Sequence, residues 1–204
     1  MLESNQNWEE SLTRQGYQCI AGLDEVGMGC LAGPVIAAAV VLDQTNIPLG
    51  IKDSKLLSPK KRESLKQLIE DSALDFAIGL ATVEEIDSLN IYHAARLAMK
   101  RAVEKLTKSP DYLLVDGRAK IDLNISQQAI VQGDKHCVSI GAASIIAKVY
   151  RDSLMFELDE KYPGYEFAKH KGYGSVVHRK HLQEKGPSPI HRKSFSWTPV
   201  REIS

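Results

Sequence analysis

The chemistry of this chain begins at two adjacent carboxylates, Asp24 and Glu25, in the run Gly22-Leu23-Asp24-Glu25-Val26-Gly27-Met28-Gly29-Cys30-Leu31-Ala32-Gly33-Pro34. An apolar stretch leads into them and a glycine-rich turn follows. A buried acid at a strand end is costly unless a cation meets it, and hard divalent cations take carboxylate oxygen. Two further segments repeat the arrangement of apolar strand, acid and glycine: Val115-Asp116-Gly117 and Val131-Gln132-Gly133-Asp134. In open α/β sheets, ligands gather at strand ends, so Asp24, Glu25, Asp116 and Asp134 are expected to converge. Four bare acids would repel and raise one another's pKa. Two Mg2+ or Mn2+ ions would neutralise them, and two such ions roughly 4 Å apart can activate a water and stabilise the leaving oxygen of a phosphodiester. Taken singly, Asp116 or Asp134 reads more simply as a turn or cap residue; the four together favour a metal site. Neighbours on an ideal strand point to opposite faces. Asp24 and Glu25 are therefore expected to share a site only where the strand ends or bulges, and Gly27 and Gly29 supply such a break. No Gly-x-Ser-x-Gly elbow points to a protein nucleophile.

The elements that must position these acids follow from pattern. Strands are expected at Gln18–Leu23, Val35–Leu42, Phe76–Val83, Tyr112–Val115 and Ala129–Gln132, where apolar and β-branched residues cluster. The three alanines of the second stretch leave helix open there. Ser58 and Pro59 form an N-cap and first helical residue, with Leu65, Leu68 and Ile69 at helical spacing. Asn90–Leu106 places Ile91, Ala95, Ala98, Ala102 and Leu106 on one face. Ser139–Tyr162 reads as a long helix ending at Pro163, and Ser175–Glu184 as a shorter one. Hairpin-like strands first and strand–helix alternation later suggest a mixed α/β sheet.

The 204 residues suggest one domain, and 43% hydrophobic content suffices for a core. No apolar run reaches membrane-span length, and the polar stretch from Met1 to Gly16 does not read as a signal peptide. Three cysteines, Cys19, Cys30 and Cys137, without CxxC spacing suggest reduced thiols in a cytoplasmic protein and no zinc site. Net charge is zero but unevenly spread: Ala168 to Lys193 holds seven Lys or Arg against one acid, with four of the six histidines. A second basic block holds Lys52, Lys55, Lys60, Lys61, Arg62 and Lys66. Local basic fields of this kind can hold a polyanion even on a neutral chain.

At this point the chain resembles type 2 ribonuclease H (ribonuclease HII). The matching pieces are Gly22 to Gly27 with Leu31-Ala32-Gly33-Pro34-Val35, Asp53-Ser54-Lys55, Val115-Asp116-Gly117, Gly133-Asp134, Ala142 to Val149 with Arg151-Asp152, Lys171-Gly172-Tyr173-Gly174, and Gly186 to Arg192. The resemblance implies a ribonuclease H-like α/β fold: a mixed five-stranded sheet, helices on both faces and a C-terminal helical region, all in one catalytic domain over residues 1–204, with 165–204 as a basic substrate-binding segment. It implies cutting of RNA in RNA–DNA hybrids, and cutting 5′ of single ribonucleotides embedded in duplex DNA, leaving 5′-phosphate and 3′-hydroxyl ends. It makes Asp24, Glu25, Asp116 and Asp134 the catalytic and metal-binding acids. Gly27, Met28, Gly29 and Tyr173 would read the ribonucleotide, and Ser54, Lys55, Lys171 and Arg192 would join the substrate contacts. Sensing a 2′-hydroxyl needs close backbone approach, which small residues permit. The family pattern Gly-Arg-Gly is Gly27-Met28-Gly29 here, so main-chain contacts survive and a guanidinium contact does not. A monomer is expected, with roles in ribonucleotide removal and primer clearance.

A rival from another class is a dinucleotide-binding oxidoreductase, because Gly27-Met28-Gly29-Cys30-Leu31-Ala32 fits GxGxxA. Asp24 and Glu25 beside an anionic pyrophosphate oppose it, as does Pro34, which interrupts the helix that motif requires. A noncatalytic hybrid-binding module is the second rival, and the intact acids argue against it.

Overall fold

The computed structural model describes residues 7–51 and 57–197. Five strands, β1 (Ile20–Val26), β2 (Val35–Leu42), β3 (Ala73–Ala81), β4 (Tyr112–Asp116) and β5 (Ser126–Ile130), form one sheet in the order β3-β2-β1-β4-β5. β1 pairs antiparallel with β2, and β2 with β3; β1 pairs parallel with β4, and β4 with β5. The sheet is thus mixed, with β1 at its centre. β2 is buried along its whole length, and its strand period of two sorts its residues between layers. Val35, Ala37, Ala39 and Val41 pack towards helix α4 (Ile91–Glu104). Ile36, Ala38, Val40 and Leu42 pack towards α2 (Pro59–Ser72) and α6 (Val138–Lys161). The alanines that left helix open in β2 are what lets both layers sit close.

Two glycines carry that closeness further. A Cβ on Gly22 of β1 would lie 2.2 Å from the backbone carbon of Ser139 in α6, and one on Gly79 of β3 would lie 2.0 Å from the Ala98 carbonyl oxygen in α4. The N-terminus of α6 has no side-chain cap of its own. Helix α1 (Trp8–Arg14) supplies one: the buried Glu9 carboxylate accepts from the Ser139 amide at 2.9 Å and the Ser139 hydroxyl at 2.7 Å. A carboxylate at that end also meets the positive pole of the helix.

Several boundaries differ from expectation. Thr82 and Glu85 form a capping box, so Val83 opens α3 (Val83–Leu89) instead of extending β3. β5 lies at Ser126–Ile130 and not Ala129–Gln132; Gln132 takes a left-handed conformation (φ 55°) that opens the short α5 (Gly133–His136). Its polar Ser-Gln-Gln start suits an edge strand. After Pro34 the chain enters β2, so the helix a dinucleotide motif needs is absent. Helices α7 (Phe167–His170) and α8 (Val176–Lys185) make up the expected C-terminal helical region.

Candidate active site

The register of β1 against β4 sets the acids. Leu23 pairs with Val115, and both pack towards α4. Their successors, Asp24 and Asp116, are therefore neighbours on the α6 face, on adjacent parallel strands. Contrary to the expected break, β1 runs in regular register with β2 through Asp24, Glu25 and Val26. It is the pairing with β4 that stops, at Leu23. Glu25 starts on the opposite face, and beyond that pairing its longer side chain can come round the open edge. Carboxylate oxygens of Asp24, Glu25 and Asp116 lie within 4.8 Å of one another.

Asp24 is buried, and its Oδ1 accepts from the Glu25 amide at 2.7 Å. Burial holds its pKa well above the usual carboxylate range, and the charges of Glu25 and Asp116 push the same way; hydrogen bonds from Ser144 and from the Glu25 amide oppose them. Asp116 Oδ1 accepts from the Gly133 amide at 2.6 Å. Asp134, next to Gly133 on α5, is buried but does not belong to the group of three. The structure therefore gathers three of the four expected acids and seats the fourth on the helix that hydrogen-bonds one of them. An all-carboxylate donor set around a buried acid that resists ionisation suits a hard divalent cation such as Mg2+ or Mn2+.

Asp24, Glu25 and Asp116 line a cleft of about 440 Å3 shared with Gly27, Met28, Gly29 and Tyr173. Arg62 of α2 and Ser144 and Lys148 of α6 also line it, three residues beyond those expected from the sequence. For the two α6 residues the signal is helical spacing: Ser144, Lys148 and Asp152 fall at i, i+4 and i+8, and Lys148 pairs with Asp152 at 2.6 Å. Gly27 needs its glycine (φ 97°) because a Cβ would lie 2.3 Å from the Arg151 side chain, whereas a Cβ on Gly29 meets open space.

Arg192 differs most from expectation. It is completely buried, out of reach of a phosphate. Its guanidinium donates to the carbonyls of Gly33 (Nε 3.0 Å, Nη2 2.9 Å), Met28 (Nη1 2.9 Å) and Gly27 (Nη2 2.7 Å). Burial lowers its pKa to about 10, so it stays charged at neutral pH. Arg151, equally buried, donates to Pro34, Lys171 and Ala32 carbonyls. Two arginines thus brace the loop from beneath, and bridges Cys30–Tyr173 and Ala32–His191 tie it to the tail.

Tyr173 keeps 42% exposure, with the Lys148 ammonium 5.9 Å from its ring centroid. Lys171 is half-buried, its ammonium 3.9 Å from the Phe156 ring centroid and bonded to the Ala168 carbonyl. It lines a separate hollow of about 200 Å3 that shares Arg62 with the main cleft. Ser54 and Lys55 lie outside the described residues. Cys30 and Cys137 are buried free thiols and Cys19 is half-buried. Among the described residues, no helix is long and apolar enough to cross a membrane.

Known proteins give the same picture. The family model for Ribonuclease HII matches residues 21–198. A Ribonuclease HII of Geobacter sulfurreducens is 53% identical over 190 residues, covering 93% of this chain and 87% of that protein. One from Syntrophotalea carbinolica is 50% identical over 188 residues, covering 92% and 90%. Among solved structures, ribonuclease H2 from Pyrococcus horikoshii OT3 superposes with a TM-score of 0.76 at 27% identity, over 88% of this chain and 95% of that one. RNase HII in the PCNA complex from Archaeoglobus fulgidus gives 0.77 at 25% identity, over 92% and 98%. With its fold, its acid cluster and the relatives it matches all of one kind, this chain belongs to the ribonuclease HII family of RNA–DNA hybrid endonucleases.

Proposed function

We propose that this enzyme cuts RNA in RNA–DNA hybrids and also cuts 5′ of a single ribonucleotide embedded in duplex DNA, with Mg2+ or Mn2+ held by Asp24, Glu25, Asp116 and Asp134. The observation that carries the reading is the convergence of three carboxylates within 4.8 Å in the cleft that also holds Gly27, Met28, Gly29 and Tyr173. The reaction is hydrolysis: a water oxygen bonds to phosphorus, the P–O3′ bond breaks, and the ends are 5′-phosphate and 3′-hydroxyl. Bound cations supply Lewis acidity and lower the pKa of the attacking water.

The chain's own residues do the rest. Ser144 and the Glu25 amide hold the Asp24 carboxylate in place, and the Gly133 amide holds Asp116. Arg192 turns the carbonyls of Gly27 and Met28 inward, which leaves the following amides on the cleft side to approach a 2′-hydroxyl. The Tyr173 ring packs against the sugar, and Lys148 and Arg62 meet phosphates, positioning the duplex without reading sequence. We assign it roles in ribonucleotide removal and primer clearance, acting as a cytoplasmic monomer.

Cleavage of a duplex bearing one ribonucleotide, in Mg2+ or Mn2+ against EDTA, tests the reading. Asp116→Asn should lower kcat on the order of a thousandfold or more, as removal of a cation ligand does, with little loss of folding stability. Wild-type turnover by that variant removes the assignment.

A further inference from the structure

The tail histidines take no part in the chemistry above, yet they form an ordered chain. His178 and His191 are buried, with their Nε2 atoms 2.9 Å apart. The Ser188 amide points at His191 Nδ1 from 2.9 Å, and the Ser188 hydroxyl lies 2.8 Å from the same nitrogen. That nitrogen is therefore an acceptor, so His191 carries its proton on Nε2 and donates it to His178. His178 must then carry its own proton on Nδ1, where the Tyr173 carbonyl accepts it at 2.9 Å. A backbone donor at one end and a backbone acceptor at the other leave one proton arrangement that satisfies every contact. His170 stacks on His178 with centroids 4.1 Å apart. It is fixed in the same way, accepting from the Gly172 amide at 3.2 Å and donating to the Tyr165 carbonyl at 2.7 Å. Burial lowers both His178 and His191 to about 4, so the neutral rings are present at neutral pH.

The far end of this chain matters because it is one of the contacts that set Tyr173: its amide donates to the His170 carbonyl and it bridges to Cys30, its carbonyl accepts from the Ser175 amide at 2.8 Å as well as from His178, and its ring keeps 42% exposure at the cleft. The near end is stiff: Ser188 lies between Pro187 and Pro189, whose rings lock the backbone. We propose that His178 is a positioning residue for ribonucleotide recognition: His191, fixed by the Ser188 segment, sets its tautomer, and its Nδ1–H holds the Tyr173 carbonyl and so keeps the tyrosine over the cleft. This rests on the reading of Tyr173 as the ring that packs against the sugar.

Two substitutions separate positioning from packing. Asparagine sets its amide near the histidine Nδ1, so His178→Asn keeps a donor for Tyr173. Glutamine sets its amide near Nε2, so His178→Gln is larger but loses that donor. On a DNA duplex bearing one ribonucleotide, H178Q should lower kcat/KM on the order of five-fold, the scale of one hydrogen bond, while H178N keeps most of it. In a Tyr173→Ala background, H178Q should cost nothing further. Nitrogen-15 spectra of the wild-type imidazoles should show His178 as the Nδ1–H tautomer and His191 and His170 as Nε2–H. H178N falling below H178Q, or H178Q losing the same factor without the tyrosine ring, would overturn the proposal. An Nε2–H tautomer at His178 would do so without substrate. If Tyr173→Ala alone leaves kcat/KM unchanged, the reading of the tyrosine falls and the proposal with it.

Discussion

Replacing Arg192 with methionine removes four hydrogen bonds and one buried charge while roughly keeping side-chain length. The carbonyls of Gly33, Gly27 and Met28 lose their donor. A buried carbonyl left unsatisfied costs about 1–3 kcal/mol. Met28 lies at the cleft, where water can replace the guanidinium, and the Cys30 amide still reaches the Gly27 carbonyl at 3.3 Å. Gly33 therefore bears the full cost and Gly27 part of it, roughly 2–4 kcal/mol together, partly offset because a guanidinium no longer has to be desolvated. The expected net loss is about 2–3 kcal/mol in urea unfolding at unchanged m. The loop that approaches substrate is also freed, so kcat/KM on a single-ribonucleotide duplex should fall more than ten-fold. Arg192→Lys keeps the charge but not the fork, and should lie between. An R192M protein within about 0.5 kcal/mol of the parent, with unchanged kcat/KM, would refute the bracing argument.

Met28→Arg should bind the same duplex more tightly and steepen its salt dependence by about one unit in the log–log slope; an unchanged slope removes the role given to that position. Gly22→Ala forces a methyl against the α6 backbone at 2.2 Å and should cost about 3 kcal/mol or more in unfolding free energy, whereas Gly29→Ala, facing open space, should fold normally. His178 and His191 sit near 4 when folded against an ordinary 6.5, so the unfolded chain binds more protons between those values. Stability should be fully present above pH 6.5 and fall towards pH 4 by at most roughly 3 kcal/mol per ring, and chemical denaturation across that range should show a shallower fall in H178N.

Much of this architecture could be read in advance, for physical reasons specific to each element. β1, β2 and β4 announce themselves because strands buried on both faces are nearly continuous apolar runs. α4 and α6 do so through their apolar spacing. β5 hid because an edge strand can begin Ser-Gln-Gln, and Gln127 spends its side chain on the carbonyls of Ile121 and Leu123. α3 is legible in its capping box at Thr82 and Glu85, but the apolar run before it reads as strand through Val83. The acids were found by residue type and spacing. How Asp24 and Glu25 meet was not, because the answer lies in where β4 stops pairing, a property of two strands and not of one. An arginine in a basic tail suggests a surface contact; Arg192 is buried instead because six carbonyls, those met by Arg151 and Arg192, turn inward together.

The brace joins residues far apart in the chain: Arg192 and Gly27 are 165 positions apart. As the polypeptide is synthesised, the carboxylates of β1 emerge long before the guanidinium that shapes the loop beside them. A chain arrested before that point carries all four of its acids without a finished recognition surface, so the capacity to engage nucleic acid arrives late, after the sheet that supports it.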